Sequence, residues 1–189
     1  MDWDSIFEES YPQPGATLDE INEFVAEIAQ PLTAAEIQPI NDGQTNPFPK
    51  SDEFHAIWRP FEATKWQVPE RPLPASYLSL LKWSNGGEFR TGERWFQFFP
   101  ARSLEQGVRA MLLAYHLPKY MPGAMPIAFN GGGTFYLLDM RNAATNDEYP
   151  VVCAHAGHLA WTRDACFPIA DSLLTACRGR FDIDDLRGM

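Results

Sequence analysis

Apolar positions recur at helical spacing in several stretches of the chain. Ile21, Phe24, Val25 and Ile28 fall at i, i+3, i+4 and i+7, which predicts a helix. Thr17-Leu-Asp-Glu20 opens it as a capping box, and Pro31 closes it. Glu20, Glu23 and Glu27 then lie on its outer side. Tyr77, Leu80, Leu81 and Ser84 share the face of a second helix, with Leu78 and Trp83 widening the apolar arc. Pro74 suits the first position of that helix, where its missing N–H costs nothing. Asn85-Gly86-Gly87 ends it, because both residue types tolerate a left-handed C-cap. Leu104, Val108, Met111, Leu112 and Tyr115 predict a third helix behind a Ser103–Gln106 capping box. Gly107 weakens it by about 1 kcal/mol relative to alanine. A last helix is expected from near Pro168, with Ile169, Leu173, Leu174 and Cys177 as its stripe and Gly179 as its stop. Phe54, Ile57, Trp58 and Phe61 fit a short helix broken near Pro60.

Other stretches read as strands. Trp95–Phe99, Met125–Phe129 and Thr134–Met140 are short and apolar, the last two joined by the turn Asn130-Gly131-Gly132-Gly133. Tyr149–His155 and His158–Thr162 are expected to pair through a tight hairpin at Ala156-Gly157. The segment up to Gly15 is polar, with Pro12 and Pro14, and its tip reads as irregular. Residues 31–53 hold Pro31, Pro39, Pro47 and Pro49 and read as a long loop or a semi-ordered connector. Helices and strands that do not strictly alternate indicate an α+β domain, with an antiparallel or mixed central sheet and flanking helices. Residues 1–52 form an acidic N-terminal helical extension with a proline-rich loop, and residues 53–189 form the main body. The two are expected to pack as one unit, since 189 residues suit a single domain.

Charge adds something the pattern does not. The net charge is −10, and residues 1–49 hold ten acids and no lysine or arginine. The other fifteen acids balance fifteen bases. Such a field repels nucleic acid and attracts a basic protein. Three cysteines cannot all pair, so the expectation is reduced thiols in a cytoplasmic protein. No signal peptide is expected at the acidic N-terminus, nor any membrane span.

Candidate chemistry is sparse. Cys153, His155, His158 and Cys166 are zinc-ligand types, but they lack a Cys-x-x-Cys pair and straddle a turn. The same cysteines and histidines lack the surroundings of an activated nucleophile. Gly131-Gly132-Gly133-Thr134 precedes a strand rather than a helix and has no lysine, so a phosphate loop is not expected. Glu88 with Glu93, and the tail acids Asp182, Asp184 and Asp185, do not suggest a carboxylate pair fixed in a cleft. The reading is a non-enzymatic protein with no metal and no cofactor. Trp58, Trp66, Trp83, Trp95 and Trp161 read as core or rim.

Two segments together resemble a known family. Leu73-Pro74, two residues, Tyr77, an apolar helix and Asn85-Gly86-Gly87 form the first. The second is an apolar strand, the turn Gly131-Gly132-Gly133, and a strand ending in Asp139. They are similar to the SUKH superfamily, which includes fungal cell-wall synthesis regulators and many bacterial immunity proteins. The resemblance covers roughly residues 53–178 and implies an α+β fold without catalytic residues. It implies a cytoplasmic immunity protein that neutralises a toxin, often a nuclease. It leaves open a regulatory or scaffold module of the same fold. A small hydrolase or metal-dependent enzyme is the third class. Residues 1–52 and 104–125 exceed the family pattern. The expected partner is a basic toxin domain, with no nucleic acid and no membrane, and the expected contact surface is Glu20, Glu23 and Glu27.

Overall fold

The computed structural model describes residues 2–103 and 105–186. The chain enters through strand β1 (Glu9–Pro12) and helices α1 (Leu18–Ile28) and α2 (Ala34–Asp42). Two 3-10 turns follow at Glu53–His55 and Ala63–Lys65, then helix α3 (Ala75–Trp83). Strands β2 (Gly87–Thr91) and β3 (Arg94–Phe98) lead to helices α4 (Val108–Ala114) and α5 (Leu117–Tyr120). Strands β4 (Ala124–Phe129), β5 (Thr134–Asp139), β6 (Val151–His155) and β7 (Cys166–Ala170) precede helices α6 (Leu173–Cys177) and α7 (Ile183–Leu186). The seven strands form one sheet in sequence order, with every neighbouring pair antiparallel. The α+β expectation holds, and the sheet is antiparallel rather than mixed.

The two faces of the sheet are covered unequally. On one, Trp3, Ile6, Phe7, α1 and α3 pack over Phe89, Phe96 and Tyr136. Phe7 lies 4.8 Å from Phe89, and Phe96 lies 4.5 Å from Tyr136, within the range where aromatic pairs add to burial. On the other face α4 and α5 pack on β4, and Tyr115, the C-cap of α4, lies 4.8 Å from Phe135 of β5. Residues 134–138 of β5 are therefore buried on both sides. Phe129 sits opposite Gln97 in the register, so both share the face of α4. On that same face Glu9, Tyr11, Glu88, Arg90, Trp95 and Gln97 are exposed or half-buried.

Several expectations need correction. The N-terminal segment is more than a polar lead: Trp3, Ile6 and Phe7 are buried, and β1 pairs with β2. Residues 31–53 are not one long loop, because Thr33 and Glu36 make a second complete capping box that starts α2. Pro39 is tolerated within that short helix. Phe54 and Ile57 are exposed beside a single 3-10 turn instead of forming a helix stripe. Val25, at 39% exposure, leaves the buried stripe of α1, which keeps Ile21, Phe24 and Ile28. Pro74 is the N-cap of α3 rather than its first residue.

The Ser103–Gln106 box includes Leu104, which lies outside the described residues. The Ser103 hydroxyl accepts from the Gln106 amide at 3.2 Å, but α4 starts later, with Gly107 as its N-cap rather than inside it. No strand runs through His158–Thr162; the strand that follows β6 and pairs with it is β7, which contains Pro168 and Ile169. The last long stripe therefore begins at Leu173, where Ser172 caps the Thr175 amide at 3.2 Å. In each case a local cap or a long-range pairing outweighs periodicity.

Candidate functional site

Five of the ten acids in residues 1–49 pair with arginines of the rest of the fold. Glu8 pairs with Arg180 at 2.6 Å, and Glu9 pairs with Arg90. Glu23 and Glu27 both reach Arg102, the second at 2.8 Å. Glu36 pairs with Arg109 at 2.6 Å, and the Arg109 hydrogen bonds pull its carboxyl down to about 2. Trp3, Ile6, Phe7, Ile21, Phe24 and Ile28 join the same hydrophobic cluster as α3 and the sheet. Of the three acids expected on the partner surface, Glu23 and Glu27 thus face a cation of the same chain. Glu20 differs: its carboxylate accepts from the Thr17 amide at 2.7 Å and hydroxyl at 2.8 Å, which lowers its pKa.

Glu20 stands at the rim of a groove of about 890 Å³. One wall is Gln13-Pro14-Gly15 and the first turn of α1. The floor runs from Asn85-Gly86-Gly87-Glu88 across to Gln97–Pro100 and Phe129. Hydrogen bonds hold these pieces together. The Asn85 amide donates to the Pro14 carbonyl at 3.3 Å, and the Gln13 amide donates to the Ser84 hydroxyl at 2.9 Å. Asn85 Oδ1 accepts from the Ala101 amide at 2.7 Å. Gly87 has φ +107°, and a Cβ there would lie 2.6 Å from the Tyr11 carbonyl, so only glycine lets β1 approach. On the open face of the sheet Glu88 Oε1 accepts from Gln97 Nε2 at 3.2 Å.

The remaining motif residues are structural. Leu73, Pro74 and Tyr77 are buried. In the second turn Asn130 Oδ1 accepts from the Gly132 amide at 2.8 Å and the Thr134 amide at 3.0 Å. Gly131 and Gly133 take positive φ, and Gly131 lies against Trp95. Asp139 holds Arg141 through contacts of 2.8 and 2.7 Å, and the guanidinium lies 3.7 Å from the centre of the Trp161 ring. Burial works to raise the Asp139 pKa, but the paired guanidinium outweighs it and the net shift is downward.

The zinc-type residues do not converge. Cys153 and Cys166 sit on paired strands, but Cys166 is opposite Ala154, so the two side chains leave opposite faces. His155 is exposed, and His158 lies 4.0 Å from Asp164. Among the described residues no group of three or more His, Cys, Asp or Glu could hold a metal ion. Burial pushes the Cys166 thiol up to about 11 and the Cys177 thiol higher still, which disfavours a reactive thiolate. The three cysteines form no disulfide. Glu88 and Glu93 stand on β2 and in the β2–β3 turn. Among the described residues no helix is long and apolar enough to cross a membrane.

The groove offers recognition groups: side-chain amides, two carboxylates and an aromatic floor. Sequence reasoning missed Gln13, Glu88 and Gln97 as its members. The signal for Glu88 was its place directly after Asn85-Gly86-Gly87; for Gln13 and Gln97 there was none, because Gln13 is placed by its backbone bonds to the Ser84 hydroxyl and Gln97 by pairing of β3 with β2. A search of curated proteins finds no match to this chain. The model of the SMI1 / KNR4 family (SUKH-1) matches residues 63–175, which contain both glycine turns and the groove floor. By that match, over well more than half its length, the chain belongs to the SMI1 / KNR4 family (SUKH-1).

Proposed function

We propose that this is an immunity-type binding protein that sequesters and neutralises a cognate toxin domain. The observation that carries the reading is the groove, a preformed recognition surface built around the Asn85-Gly86-Gly87 turn inside the matched span. The superfamily includes toxin immunity proteins, and its members are typically not enzymes. The net charge of −10 favours a basic partner, such as a nuclease-like toxin, by steering encounter. Tight binding at the groove would then block the toxin by occlusion, with no chemistry required of this chain.

The test is co-purification with the toxin domain encoded beside the gene. A stable one-to-one complex that abolishes toxin activity is expected. No complex at low salt would overturn the reading. A stable complex with a non-toxic protein instead would identify a regulatory or scaffold module of the same fold.

A further inference from the structure

We infer that the groove takes an arginine-bearing surface loop of the protein partner, clamped between Glu20 and Glu88. This inference rests on the binding reading above and names the chemistry that the groove recognises.

The argument starts from charge. Glu20 rises from the first turn of α1, and Glu88 stands on the exposed face of β2. Among the described lining residues there is no lysine or arginine. Arg90 is engaged with Glu9, and Arg102, whose charge also acts on Glu20, is engaged with Glu23 and Glu27. The internal bonds of the two carboxylates use one oxygen each: Oε2 of Glu20 and Oε1 of Glu88. Those bonds orient the carboxylates and leave the second oxygen of each for a ligand.

Geometry narrows the choice. A guanidinium presents several N–H donors in a planar fork that matches carboxylates, and an ammonium does not. The side-chain amides of Gln13 and Gln97 line the same space and can accept from the remaining donors. Met111 and Phe129 provide an apolar surface for the three-carbon stem of arginine. A volume of about 890 Å³ admits a loop with a few side chains. Phosphate groups of a nucleic acid would meet two carboxylates here, so the groove disfavours them. The wall that carries Gln13 and Glu20 lies outside the matched span 63–175, and the floor lies inside it. The shared frame thus supplies the trough, and the N-terminal segment supplies half of the clamp.

A hexa-arginine peptide serves as the probe, titrated into the protein and followed by amide chemical shifts. The expected shifts concentrate on Gly86, Gly87, Glu88 and Gln97. The Glu20→Gln/Glu88→Gln variant should bind about tenfold more weakly, the loss of roughly one charge-assisted hydrogen bond. Glutamine still completes the Thr17 capping box, so this variant should keep its fold. The control is Glu53→Gln/Glu70→Gln, two exposed acids outside the groove with the same change in net charge, which should bind within about twofold of the parent. Equal weakening of both variants, or shifts spread outside the groove, would overturn the inference. The two readings fail separately. A toxin complex untouched by Glu20→Gln/Glu88→Gln would sink the clamp and leave the immunity reading standing. Groove shifts that depend on Glu20 and Glu88, with no toxin complex, would do the reverse.

Discussion

Arg109 and Glu36 meet in a two-point ion pair, with Nε 2.6 Å from Oε1 and Nη2 3.0 Å from Oε2. The arginine is only 7% exposed. Its other donors reach the carbonyls of Glu27 at 2.8 Å, Gln30 at 3.0 Å and Pro31 at 3.1 Å. One side chain from α4 therefore satisfies carbonyls at the end of α1 and anchors the first turn of α2. Arg109→Lys keeps the charge but loses the fork and most of these bonds. It should cost about 2–3 kcal/mol, below the range for breaking a fully buried pair because Glu36 is partly exposed. Urea unfolding measures this; a loss under ~0.5 kcal/mol would show that the junction does not need its arginine.

The same pair sets an acid dependence. The Glu36 carboxyl is held at about 2 in the fold against an ordinary 4.5. Between those values the unfolded chain binds the extra proton, so lowering the pH favours unfolding. The contribution is fully present above about pH 4.5 and is lost as the pH falls towards 2. Urea midpoints at stepped pH should therefore fall more steeply for the parent than for Glu36→Gln across this window. Parallel curves would contradict the assignment.

Arg94 and Gly179 make a second test of packing. Arg94 is buried on β3 and donates to the Ala176 carbonyl at 2.9 Å and the Phe181 carbonyl at 3.1 Å, capping the end of α6. A Cβ at Gly179 would lie 1.9 Å from Nη1 of Arg94, closer than any side chain can sit. Gly179→Ala should displace the arginine and cost about 2–3 kcal/mol, the scale of disrupting a buried hydrogen-bonded charge. At Gly132 the nearest atom is Asn130 Oδ1 at 3.5 Å, so Gly132→Ala should stay within about 0.5 kcal/mol. Thermal unfolding of the two variants gives the comparison; equal shifts would contradict it.

Tyr77 carries a buried hydroxyl with no hydrogen-bond partner among the described residues. Burial alone raises its pKa, so it stays neutral at any working pH. An unpartnered buried hydroxyl is a liability of about 1 kcal/mol or more. Tyr77→Phe should leave stability unchanged or raise it by about 1 kcal/mol in urea unfolding. A clear loss would show that the hydroxyl has a partner in solution.

The legible parts of the fold were those with local chemistry. The Thr17–Glu20 box and the spacing of Ile21, Phe24 and Ile28 sufficed for α1, because cap and stripe lie within one segment. The central strands from Ala124 to His155 were readable as apolar runs between turns. β1 was not, since Glu9–Pro12 is polar and takes its conformation from pairing with β2. The β7 boundary was missed because Ile169 and Leu173 happen to mimic a helical step across the Ser172 cap. The groove was illegible for a stronger reason. Glu20 and Glu88 lie far apart in sequence and become neighbours of one trough only after β1, β2 and α1 are assembled. Even the acidic bias of the first quarter changed meaning, from a free charged face to a set of internal pairs with Arg90, Arg102, Arg109 and Arg180.

The most direct test of the account is calorimetric titration of the toxin domain proposed as partner into the parent protein and into Glu20→Gln/Glu88→Gln, at low salt. The account predicts a tight one-to-one complex with the parent and about tenfold weaker binding by the variant, with no change in its unfolding midpoint. No heat of binding to the parent, or identical affinities for both proteins, would contradict it.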